Sequence, residues 1–108
     1  MAQKEFFKVV TSDLKSLGLR QNPNILEYEE NTWVRLPPEQ IVEGKGPWSG
    51  WGGIGVVKSR GEATGLVRYM ERKHQVTCLV YRVDIGRILF EDKRRAKTDA
   101  VMLIERIK

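Results

Sequence analysis

Two tryptophans and six of the ten glycines of this chain fall within twelve residues, Gly44 to Gly55. Glycine lets a backbone reach φ > 0 or lie close against another group, and each indole offers roughly 150–250 Å² of surface to bury. Trp48 and Trp51 are therefore candidate ligand-binding residues lining a cleft, and a loop packed on the protein's own core has the same composition. Gly50-Trp51-Gly52-Gly53-Ile54-Gly55 matches G-x-G-x-x-G. A dinucleotide fingerprint, however, needs glycines that follow a strand and open a helix, whereas these precede a strand. The P-loop pattern is absent. His74 is the sole histidine and has no partners at metal-ligand spacing, so no metal site is expected and no Ser-His-Asp arrangement can be assembled. Cys78, the sole cysteine, sits within an apolar run where a buried, inert thiol is expected.

The densest basic run is Lys93, Arg94, Arg95 and Lys97, read as an exposed loop. With Lys58 and Arg87 it forms a candidate phosphate or nucleic-acid contact, for which Trp48 or Trp51 would supply the stacking surface. Net charge of +5 and pI near 9.6 favour polyanions and phosphorylated ligands.

At 108 residues the chain is expected to form one globular domain, 1–108, with a core that needs no staples. No apolar run reaches the roughly 18 residues of a membrane span, and the first residues lack a signal peptide's apolar segment. A cytoplasmic protein without a membrane partner is the expectation, consistent with one unpaired cysteine.

Local patterns place the elements. Phe6 to Val10 reads as a first strand, and Thr11 or Ser12 as the cap of a short helix, Asp13 to Leu17. Ile25 to Tyr28 and Thr32 to Leu36 read as a hairpin closed by Pro37-Pro38, and Ile54 to Lys58 as a buried strand. Ser59-Arg60-Gly61-Glu62 has capping-box spacing, and Ala63, Leu66, Val67 and Met70 recur at helical intervals, which predicts an amphipathic helix over about 59–73. Val76 to Val83 is nearly continuous in apolar residues, as a central strand covered on both faces would be. Arg87 to Phe90 and Ala100 to Ile104 complete the strands, with a helix from Thr98 as the alternative for the last. This order predicts an α+β fold with a mixed or antiparallel sheet.

Three segments, Phe7 to Leu19, Gly55 to Lys73 and Leu79 to Asp84, resemble the ADP-ribosyltransferase-like family, which includes NAD-using transferases and RNA 2′-phosphotransferases. The likeness is in the order of elements. It implies a nucleotide-binding domain with NAD as cofactor. Lys8 stands where family members carry an Arg or His on the first strand to hold the dinucleotide. Ser59 matches a serine ending the middle strand, and Glu105 is the late candidate for the catalytic glutamate. On that reading Lys8, Arg35, Trp48, Trp51 and Ser59 surround one concave site. Two other readings follow from the residues themselves: a nucleic-acid-binding module using the basic loop and an exposed tryptophan, and a structural or protein-interaction module.

Overall fold

A computed structural model describes residues 5–17, 25–38 and 53–108. Alternating apolar and polar residues, and two longer apolar runs, give seven strands: β1 (Phe6–Thr11), β2 (Trp33–Arg35), β3 (Ile54–Val57), β4 (Cys78–Ile85), β5 (Ile88–Glu91), β6 (Arg95–Thr98) and β7 (Ala100–Arg106). They form one sheet in the order β2-β7-β4-β1-β3-β6-β5. Every neighbouring pair of strands is antiparallel. With the one α-helix among the described residues, the fold is α+β.

β4 lies between β7 and β1, and both of its faces are covered, which accounts for its run of apolar residues. On one face Phe7, Val9, Cys78 and Val80 pack against Ala63 and Met70 of the helical segment. On the other, Phe6, Val10, Ile54, Val56, Tyr81, Val83, Val101 and Leu103 meet Tyr28 and Leu36. Among the described residues no helix covers the second face. The irregular stretch 25–32 and Leu36 lie over it instead, anchored where Tyr28 N–H donates to Leu14 O (2.8 Å) and Asn31 N–H to Leu103 O (2.8 Å).

Helix α1 spans Arg60–Tyr69 and continues as a π-helical turn, Met70–His74. The Ser59 hydroxyl accepts the Glu62 N–H at 3.1 Å, so the N-cap half of the capping box predicted from sequence forms. Gln75 ends the segment in the left-handed region, φ 57°. No helix among the described residues is long and apolar enough to cross a membrane.

Three local expectations are corrected. Asp13 to Leu17 is not a helix. Leu14 has φ 61°, and Thr11 closes a tight turn in which its N–H donates to Lys15 O (2.9 Å) and its Oγ1 accepts the Lys15 N–H (3.0 Å). Thr11 and Ser12 thus offered the chain a side-chain turn that competed with capping. Ile25 to Tyr28 and Thr32 to Leu36 do not pair as a hairpin. Glu27 makes an isolated bridge to Lys15, while Trp33–Arg35 joins β7 as an edge strand. The run from Lys93 to Lys97 is not a loop throughout, since Arg95–Thr98 is β6. The Asp92 carboxylate accepts the N–H groups of Arg94 (2.8 Å) and Arg95 (2.9 Å), which turns the chain tightly out of β5. In β6 the charged Arg95 and Lys97 alternate with fully buried Ala96 and Thr98, a period-2 pattern hidden within a basic run.

Candidate functional site

β1 and β4 share six register pairs, but β1 and β3 share one, Phe7 with Val57. Beyond that pair no register partners join the two strands, and the Lys8 side chain reaches from β1 to β3. Its Nζ donates to Gly55 O at 2.8 Å and lies 5.9 Å from the centre of the Tyr28 ring. Alternation along β1 puts Lys8 on the face of Phe6 and Val10, opposite Phe7 and the helix. The side chain keeps partial solvent access while its ammonium is enclosed. No carboxylate pairs with it among the described residues. Burial, followed by the like charge of Lys97 two strands away, lowers the Lys8 pKa from its ordinary 10.5 to about 8.

Tyr28 is the second polar group on this face that lacks a full complement of partners. It is 7% exposed, and its hydroxyl makes no hydrogen bond. Burial pushes the phenol up to about 12, opposed by the nearby Ser16 hydroxyl. Ser16 Oγ accepts the Leu26 N–H at 3.0 Å and turns its own proton to Leu26 O at 3.5 Å, and the Tyr28 O–H meets no acceptor. Tyr81 stands directly across from Lys8 on β4 and donates its hydroxyl to Glu30 Oε1 at 2.9 Å. A buried cation with no counter-ion and a buried hydroxyl with no acceptor both cost free energy in the empty protein, so an anion reaching them would relieve the charge.

The other residues singled out from the sequence do not gather around Lys8. Arg35 is exposed on edge strand β2, three strands from β1 and therefore roughly 14 Å away in the sheet plane; its guanidinium sits 5.6 Å from the Trp33 ring. Ser59 is exposed and committed to the helix cap. Replacing it with alanine is expected to cost about 1 kcal/mol of stability, measured as a shift in the urea midpoint with an unchanged m-value. Glu105 pairs with Arg82, which pairs with Phe7, so Glu105 lies on the helix face, opposite Lys8. The arrangement of first-strand cation and late-strand glutamate implied by the family resemblance is therefore not assembled around Lys8. Trp48, Trp51 and the loop from Gly44 to Gly52 lie outside the described residues.

The chain matches no family model, no curated protein and no solved structure.

The basic run is partly neutralised from within. Lys58 Nζ pairs with Glu91 (2.6 Å) and donates to Asp92 O (2.6 Å), while Arg95 Nε pairs with Asp92 (3.2 Å). The main-chain N–H of Arg94 holds the Asp92 carboxyl below the usual carboxylate range, with Arg95 adding to it. Lys93 and Arg94 remain exposed at the β5–β6 turn, and Lys97 is half-buried beside Gly55. Cys78 is buried, and burial together with the Glu71 charge pushes its thiol up, which disfavours a nucleophilic thiolate. Among the described residues, no group of three or more His, Cys, Asp and Glu side chains is placed to hold a metal ion.

Sequence reasoning selected Lys8 through the resemblance and missed Tyr28, which it assigned to a hairpin strand. The single aromatic in Ile25-Leu26-Glu27-Tyr28 was the only available signal. Its partners, Leu14 and Lys8, are remote in sequence.

Proposed function

We propose that this domain binds a small anionic ligand of the nucleotide class, NAD among them, where Lys8 reaches from β1 to β3, with the Lys8 ammonium as the charge that receives it. The observation that carries this reading is the enclosed ammonium without a carboxylate partner among the described residues. Lys97 adds to the positive potential at the same place, and the unsatisfied Tyr28 hydroxyl supplies a donor on the same face. The reading is one of binding. Glu105 lies on the other face of the sheet, so a transferase step between Lys8 and Glu105 has no geometric support.

Thermal-shift titration at pH 7 with inorganic phosphate, ATP and NAD tests this. Saturable stabilisation that grows with the logarithm of ligand concentration is expected for at least one of them, and it should be absent in Lys8→Met. Equal stabilisation of Lys8→Met, or no stabilisation by any of the three, rejects the reading.

A further inference from the structure

The π-helical turn does more than end α1. At about 100° per residue, positions five apart in an α-helix point about 140° away from each other, whereas the wider π turn brings i and i+5 onto the same side. Tyr69 and His74 are such a pair. Their rings meet edge to face with centroids 5.6 Å apart. Val76 N–H reaches back to Met70 O (3.2 Å) and Gln75 N–H to Glu71 O (3.1 Å), which locks the turn in place. Met70 is buried at its base, and Tyr69 stays 38% exposed.

Around this ring pair stand Arg68, Arg72 and Lys73, all exposed and without an ion pair among the described residues. Lys15, Lys58 and Arg95 elsewhere on the molecule do have acidic partners. Glu71 is the one acidic residue within the turn. Three unpaired cations would suffice to attract any polyanion. The exposed ring pair held among them favours one whose repeating units carry both a phosphate and a flat apolar surface.

We propose that the end of α1 and its π turn form a docking surface for single-stranded nucleic acid, in which the Tyr69 and His74 rings stack on bases and Arg68, Arg72 and Lys73 lie along the phosphates. The surface is built from residues separate from Lys8, so it stands independently of the nucleotide reading.

Fluorescence anisotropy with a short labelled single-stranded oligonucleotide tests it on the full chain. Binding should weaken with salt at a log–log slope of about −2, as roughly three phosphate contacts require. Tyr69→Ala should weaken binding roughly 5- to 100-fold, and Arg68→Glu/Arg72→Glu should abolish it. Both variants alter exposed side chains, and their thermal unfolding confirms that each is folded. Lys93→Glu/Arg94→Glu at the far edge of the sheet should bind as the parent does. Absence of saturable binding overturns the proposal. So does loss of affinity in Lys93→Glu/Arg94→Glu equal to that in Arg68→Glu/Arg72→Glu, which would indicate diffuse charge attraction. Indifference to Tyr69→Ala, with polyglutamate competing as well as the oligonucleotide, also overturns it and identifies a surface for acidic protein segments.

Discussion

Replacing Lys8 with methionine is expected to stabilise the fold by about 2 kcal/mol at pH 7 while removing its response to anions. Lowering the Lys8 pKa from 10.5 to about 8 represents an order-of-magnitude penalty of about 3 kcal/mol for keeping the charged form enclosed. Methionine fills a similar volume without that charge, but leaves Gly55 O without its donor, a loss of about 1 kcal/mol. The sign of the pH dependence follows from proton counting. Below pH 8 the amine is protonated in both folded and unfolded chains, so the full penalty applies. Between pH 8 and 10.5 the unfolded chain binds more protons than the folded one, so the parent gains stability as pH rises. The advantage of Lys8→Met should therefore be largest at or below pH 7 and shrink as pH passes from 8 to 10.5. Urea unfolding of both proteins across this range measures it. A variant that is less stable at pH 7, or an advantage that grows with pH, would show that the ammonium is solvated and carries no special potential.

Leu103→Ala should have the largest effect on stability, a loss of roughly 3–5 kcal/mol. Leu103 is fully buried on β7 within the half of the core opposite α1. Its main chain pairs with Val83 and also accepts the Asn31 N–H at 2.8 Å, so both sheet and covering segment hold it in place. That rigidity limits collapse around the missing atoms and puts the cost in the upper part of the range seen for such truncations. Against a typical total of about 5–15 kcal/mol, the variant would be marginal at best. Met102, the next residue along β7, is only half-buried, and Met102→Ala should cost markedly less when both are compared by thermal unfolding. Similar losses in the two would mean that β7 does not present Leu103 to the core.

Elements whose signals are carried by neighbouring residues were legible before any coordinates. The α1 start rests on Ser59 and Glu62, three residues apart, and its inward face on Ala63 and Met70, so the helix could be bounded from sequence. β4 could be recognised as central because residues facing both sides of it had to be apolar. The misread segments each contained a competing local possibility. Thr11 and Ser12 suit a cap or a turn, and the outcome depended on Thr11 bonding Lys15. Arg95 to Thr98 looked like a solvated charge run because its two buried positions are the small Ala96 and Thr98.

Sequence by itself determined an α+β chain with one capped amphipathic helix, a central apolar strand and a basic surface, because each depends on spacing of a few residues along the chain. Tertiary structure decided everything that depends on which distant strands become neighbours. Lys8 finds its acceptor 47 residues away in Gly55, and Tyr81 finds Glu30 at a separation of 51. The absence of a carboxylate beside Lys8 among the described residues and the placement of Glu105 on the opposite face follow from strand order and register. Charge and burial act through space, and a residue's distance along the chain does not reveal which partners the sheet will bring to it or keep away.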